Sequence, residues 1–357
     1  MSMLVRELLR DMRPYAATAA GDAVDLSDNT SLWGPPPAAV EALRSLDPSA
    51  LACYPATPPA VLNRALAAYA GVGENMVVPG CGSDDLIDCA MRTFAQPGDT
   101  IAFAVPTFSM VPTFAAINGL RAHAISLLPD FDVDVDALLA PKPQIVYLCS
   151  PNNPTGGALP RATIERVVRE APGVVLLDEA YGEFCDAPGF DLVAGHERLV
   201  VMRTLSKVFG LAGLRIGYAA LAPALARALE TVRGPYKLNA AAAVAATAGL
   251  TDGLPWVRAR AEEAVGIRNR LRALLVAAGF SPLPSDANFF CIPCRGAPRV
   301  AEALLARGVA VRLLRNLPPF TPALAASEGA ALRVGVGPWP LMERFLSAIR
   351  PEAAACA

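Results

Sequence analysis

Short apolar runs recur along the first part of the chain, and each is stopped by small or polar residues. Residues 101–105, 124–128, 145–149, 174–177 and 199–202 are such runs, of strand length. Their continuity, rather than alternation, is the pattern of strands buried on both faces. A helical segment passes through Phe114 and Gly119, and Ile164, Val167 and Val168 mark another at helical spacing. Strands separated by helices predict an α/β fold. Its sheet is mainly parallel, flanked by helices and joined by right-handed crossovers.

Beyond Gly253 the pattern changes. Residues 256–278 read as one long helix. A strand at 288–292, a helix at 298–306, strands at 309–314 and 331–336 and a last helix at 341–349 follow. This is a smaller α+β unit. A chain of 357 residues is also long for a single core. We place an N-terminal arm and substrate-side loop at 1–35, a large domain at 36–250 and a small C-terminal domain at 251–357. In the arm, Leu4, Val5, Leu8, Leu9 and Met12 fall at helical spacing and Pro14 ends the run. The following stretch, Asp28-Asn29-Thr30-Ser31-Leu32-Trp33-Gly34, runs into three prolines and is not regular structure. It reads equally as a pocket wall or a linker.

In parallel sheets the ligand lies at the carboxyl ends of the strands. The polar clusters fall at those ends: Phe108, then Asn153, then Asp178 and Tyr181, then Thr204, Ser206 and Lys207. A glycine-rich turn through Gly82, Ser83 and Asp84 opens a helix at 84–94, whose free N–H groups form an anion site. Lys207 stands between hydroxyl residues and the glycine-rich stretch 209–218. Such a lysine, just past a buried strand, suits a Schiff-base role, in which the neutral amine attacks an aldehyde. Asp178 follows a buried strand and calls for a cationic partner. An amine, a buried carboxylate and an anion cradle at one sheet edge fit pyridoxal phosphate. It needs an anchor for its aldehyde, a carboxylate at its ring nitrogen and donors for its phosphate.

Charge and cysteines narrow the classes. The net charge is −2 with both signs spread along the chain. That argues against nucleic acid as a partner, which needs a clustered basic surface. Arg6, Glu7, Arg10, Asp11 and Arg13 interrupt what would be a signal sequence, and no uncharged run reaches membrane-spanning length. A cytoplasmic protein without membrane contact is expected. The eight cysteines read mostly as reduced core thiols. Cys291 and Cys294 form a lone C-x-x-C, with no second pair to complete a metal site.

Three motifs carry a resemblance that covers nearly the whole chain. They are Ser150-Pro151-Asn152-Asn153-Pro154-Thr155-Gly156, Asp178-Glu179-Ala180-Tyr181, and Thr204-Leu205-Ser206-Lys207 with the glycine-rich stretch through Arg215. In this order the chain resembles the class I/II aminotransferases of fold type I, and among them the histidinol-phosphate aminotransferase group. The resemblance implies a large domain with a mainly parallel sheet plus a smaller α+β domain. It implies that Lys207 binds pyridoxal 5'-phosphate and shuttles a proton, that Asp178 pairs with the ring nitrogen, and that Tyr181 and Asn153 bind the phenolate oxygen. Phe108 would stack on the ring. Gly82, Ser83, Asp84, Ser206 and Arg215, with Thr204 near, would hold the phosphate.

Tyr54 would reach the neighbouring subunit's cofactor, which implies a homodimer with shared active sites; core packing is the other reading. Arg333 would clamp the substrate carboxylate, with a surface charge as its alternative, and Arg312 would contact a substrate phosphate. The family's common Asn-Glu-Asn-Pro is replaced here by the segment with Asn29 and Trp33, which puts both on the substrate side. The implied reaction moves an amino group from histidinol phosphate or an aromatic amino acid to a 2-oxo acid such as 2-oxoglutarate. A related decarboxylase acting on threonine phosphate would share every cofactor residue.

Overall fold

A computed structural model describes residues 6, 9, 10, 12, 20–57, 59–185 and 189–356. Its strands, in chain order, are β1 (Val24–Asp25), β2 (Val77–Gly80), β3 (Thr100–Val105), β4 (Arg121–Ser126), β5 (Ile145–Cys149) and β6 (Val174–Asp178). There follow β7 (Leu199–Thr204), β8 (Gly217–Leu221), β9 (Phe289–Pro293), β10 (Val309–Ala310), β11 (Arg312–Leu314) and β12 (Ala331–Gly335). The apolar runs become the middle of a seven-stranded sheet of order β2-β8-β7-β6-β5-β3-β4. All neighbours are parallel except β8, which runs against both β2 and β7.

Every residue of β5, β6 and β7 is buried. Alternate side chains leave opposite faces, so one sheet feeds two cores. Val146, Leu148, Val175 and Leu177 enter one, Ile145, Tyr147, Val174 and Leu176 the other. Helices Ala60–Ala70, Arg161–Glu170 and Ala240–Leu250 bury side chains in the first core. Helices Ser83–Phe94, Met110–Ile117 and Pro223–Val232 supply the second. Strand order reverses between β3 and β5, the switch point where a ligand crevice opens.

The C-terminal part forms a three-stranded antiparallel sheet, β11-β12-β9, packed on helices Ala297–Ala306 and Trp339–Ile349. The long helix Leu254–Ala277 buries Leu271 and Leu275 in the same core. β1 pairs with β10 in parallel, Val24 opposite Val309, and Leu26 joins this third core. Residues near the N-terminus are therefore tied to the C-terminal sheet unit. The arm expected around Leu4, Val5, Leu8 and Pro14 lies outside the described residues.

Three expectations are corrected, and one pair of strands went unforeseen. The strand expected at 124–128 runs Arg121–Ser126, because an edge strand with exposed positions lacks an apolar run at its start. The single strand expected at 309–314 is two, since its halves pair with different partners, β1 and β12. β2 and β8 were hidden by their glycines and appear as an antiparallel pair. Cys294 is not a reduced thiol. It forms a disulfide with Cys356, which the last helix, Ala353–Cys356, brings back beside β9 as Gly296 N donates to Ala355 O at 3.1 Å. Cys291 stays free and buried. Among the described residues no helix is long and apolar enough to cross a membrane.

Candidate active site

The carboxyl ends of β2, β3, β5, β6 and β7 open on one edge, where the sheet borders a cavity of about 480 Å³. Ser83, Asp84, Phe108, Asn153, Asp178, Tyr181, Thr204, Ser206, Lys207, Arg215 and Arg333 all line it. Residues from six separate segments thus meet at one place. Asp28 and Thr30 of the irregular N-terminal stretch close one side. A second cavity of about 400 Å³ adjoins it, sharing Phe108, Asn153 and Arg333 and adding Arg312 and Arg315.

At the floor lies Asp178, the last residue of β6 and 4% exposed. Its Oδ2 accepts from the Tyr147 hydroxyl at 2.7 Å and its Oδ1 from Ala180 N–H at 3.0 Å. Burial pushes its pKa up to about 6 against the pull of these donors. Lys207 Nζ donates to Asp28 O at 3.3 Å and stands 5.4 Å from the Tyr181 ring centre.

Two donors face the cavity in fixed orientations. The Tyr181 oxygen accepts from Asn29 Nδ2 at 3.1 Å, which leaves its O–H to donate elsewhere. Asn153 Oδ1 accepts from Arg333 Nη1 at 2.6 Å, which turns its NH₂ toward other acceptors. Arg333 is held from its other end by Ser27 O, 2.6 Å from Nη2.

At the far end is the N-terminus of helix Ser83–Phe94, capped by Gly82 at φ +85°. A Cβ on Gly82 would come within 2.7 Å of Arg215 Nη2, and one on Gly217 would collide with Ser83 N. Both glycines keep the helix end accessible. Ser206 and Thr204 bond through their hydroxyls at 2.9 Å, and Arg215 pairs with Asp84 at 3.2 Å.

These features test the fit of pyridoxal phosphate to the residues present. A buried carboxylate with a raised pKa calls for a cation. Bare backbone N–H groups beside an arginine and two hydroxyls call for a phosphate-like anion. An amine reaches the space between. The residues fit the group.

Three expected residues lie elsewhere. Trp33 does not border the cavity; it is half-buried and packs between the main and C-terminal cores. Its large apolar surface is absorbed by the fold. Asn29 is 2% exposed and sits behind Tyr181, so it reaches the cavity only through that hydroxyl. Tyr54 does not line the cavity of its own chain. It is 81% exposed and stacks on Tyr236, with ring centres 4.4 Å apart.

Sequence reasoning missed Tyr147, because a tyrosine inside an apolar run reads as core. It also missed a buried ion cluster behind the site. Arg203, beside Thr204, bonds Glu179 at 2.8 Å and Glu183 at 3.3 Å. Tyr69 donates to Glu183 at 3.3 Å, and the Phe190 ring lies 4.0 Å below the guanidinium. Burial raises the pKa of both carboxylates.

The sequence matches the family described as aminotransferase class I and II over residues 21–349. It is 38% identical over 321 residues to the histidinol-phosphate aminotransferase of Roseiflexus castenholzii, covering 86% of this chain and 85% of the relative. To that of a Synechocystis species it is 34% identical, covering 88% of this chain and 90% of the relative. In fold it is similar to the Sinorhizobium meliloti histidinol-phosphate aminotransferase solved with pyridoxal-5'-phosphate. The TM-score is 0.86 at 24% identity, over 100% of this chain and 99% of that one. A Thermus thermophilus aspartate aminotransferase shares the fold with a TM-score of 0.76 at 24% identity, over 96% of this chain and 99% of that one. The chain belongs to the class I and II aminotransferases and is, with them, a pyridoxal-phosphate-dependent transaminase of fold type I.

Proposed function

We propose that this transaminase takes its amino group from histidinol phosphate, with an aromatic amino acid as the second donor, and passes it to a 2-oxo acid such as 2-oxoglutarate. One observation carries the reading. Arg312 and Arg333 are directly opposite each other on β11 and β12, and both border the second cavity. Two guanidinium groups on one wall make that side of the cavity cationic, which suits an anionic group on the donor. Val105, Pro112 and Leu317 give the same cavity an apolar wall. A flat aromatic ring joined to a phosphate or carboxylate matches both features, and the names of the relatives support histidinol phosphate as the donor.

When bound, the cofactor supplies an aldehyde and an electron-accepting ring. Around it Lys207 would anchor the aldehyde and Asp178 would hold the ring nitrogen protonated. Tyr181 and Asn153 would donate to the phenolate oxygen, and Phe108 would lie against the ring. Ser83, Ser206 and Arg215 would hold the phosphate, with Gly82, Asp84 and Thr204 shaping its seat. Arg333 would fix the donor's anionic group by charge-assisted hydrogen bonds, with Arg312 beside it. Lys207 Nζ would then take the proton from the donor's α-carbon. The chain would work as a homodimer, with Tyr54 completing the partner's site. Leu51, Tyr54 and Val61, between 66% and 81% exposed, support an apolar face for that contact.

The test mixes purified holoenzyme separately with L-histidinol phosphate, L-phenylalanine and L-glutamate while the visible band of the lysine-bound cofactor is followed. Loss of the band to the amine form is expected with histidinol phosphate at the lowest concentration. Lys207→Ala should abolish the conversion. Arg312→Ala and Arg333→Ala should each raise KM for histidinol phosphate roughly tenfold or more, the loss of one charge-assisted contact. Release of carbon dioxide with no amine form would restore the decarboxylase. Equal KM values in the arginine variants would remove the phosphate from this cavity.

A further inference from the structure

Tyr147 has no part in the chemistry described above, yet it touches the residue on which that chemistry depends. It is 1% exposed, in a strand whose every position is buried. Tyr147 stands opposite Leu176, and Cys149 opposite Asp178. Residues two apart share a face of a strand, so Tyr147 and Asp178 are diagonal neighbours on one face. From there the phenol donates to Asp178 Oδ2 at 2.7 Å. We infer that Tyr147 is a positioning residue, whose hydroxyl holds the Asp178 carboxylate in a fixed orientation as the partner of the cofactor's ring nitrogen. This rests on the pyridoxal phosphate assignment of the site.

The position argues for a role. A buried hydroxyl costs free energy unless it is bonded, and phenylalanine would fill the same apolar space without that demand. Tyr147 on Oδ2 and Ala180 N–H on Oδ1 take one lone pair from each oxygen, which stops the carboxylate from turning. The other groups facing it are few. Asp84 pushes its pKa up and Lys207 pulls it down. Cys149, on the same face, is pushed up by burial and stays a neutral thiol. Burial also raises Tyr147, which stays a donor. Without the phenol the carboxylate would protonate more readily and rotate.

The experiment compares apoprotein and its Tyr147→Phe variant for affinity toward two ligands. One is pyridoxal phosphate. The other is its 1-deaza analogue, in which C–H replaces the ring nitrogen. The variant is expected to bind pyridoxal phosphate roughly tenfold more weakly at pH 7.5, the loss of one hydrogen bond to a charged group. The pH at which that affinity fails on acidification should rise by about one unit. The deaza analogue should bind both proteins equally. Equal weakening toward both ligands would make Tyr147 a packing residue, and unchanged affinity and pH limb would also overturn the inference. Failure of the parent protein to bind pyridoxal phosphate would sink the site assignment itself. If the phenylalanine variant does not fold, 3-fluorotyrosine at the same position gives a stronger donor. It should then tighten pyridoxal phosphate but not the analogue, and an equal effect on both would refute the role.

Discussion

Burial of the Asp178 carboxylate carries a cost that its hydrogen bonds to Tyr147 and Ala180 N–H offset only in part. Its pKa rises from the ordinary 3.8 to about 6 on burial. The folded protein thus holds this proton more tightly than the unfolded chain does. The stability it contributes is full below about pH 4 and is lost as pH climbs through about 6. The difference amounts to about 3 kcal/mol at pH 7. Apo Asp178→Asn is therefore expected to denature at a higher urea concentration than the parent at pH 7. The gap should close toward pH 4.5, and equal midpoints at both pH values would refute this. At this scale the sequence was informative where chemistry interrupts a strand. Lys207, Asp178 and Asn153 stand out because polar residues end apolar runs. Tyr147 did not, because a tyrosine inside such a run is indistinguishable from core. Trp33 shows the converse: an aromatic in an irregular stretch reads equally as pocket wall or linker, and its packing between two cores carries no signal in the sequence.

Among elements, the central strands were legible and the margins were not. β5, β6 and β7 are buried on both faces, so their composition alone declares them. β4 has exposed positions, and β2 and β8 carry glycine or proline, so neither pattern shows. The ion cluster behind the site was equally hidden, since its charges come from different elements. Glu179 follows β6, Glu183 lies in the short helix Gly182–Phe184, and Arg203 is in β7. Together they clamp the loop that follows Asp178 and bears Tyr181 against the strand that leads to Lys207. Removing one partner leaves buried charges uncompensated, which typically costs about 3–5 kcal/mol. Arg203→Met should accordingly lower the urea midpoint of the holoenzyme strongly, whereas Arg64→Met, whose partner Glu74 is exposed, should cost less than about 1 kcal/mol and shift it little. Similar midpoints for the two variants would show that the cluster does not hold the loop.

For the whole molecule, α/β alternation and the change of pattern near residue 250 were visible from the sequence. The return of the chain's beginning to its C-terminal sheet unit was not, because two residues of β1 carry no periodic signal. The homodimer proposed above belongs to this scale as well. Tyr54→Glu should shift sedimentation toward monomer and lower turnover together, while a monomeric variant with full turnover would show that each chain's site is complete alone. The pairing of Val24 with Val309 also fixes an order of events during synthesis. Ribosomes make Asp28 and Thr30 early, but the strand that leads into them lacks its partners in β10 and β12 until nearly three hundred residues later. The large sheet is complete by β8, long before the cavity has its last side. A nascent chain arrested before β10 would present a finished sheet edge with Lys207 in place and one wall missing.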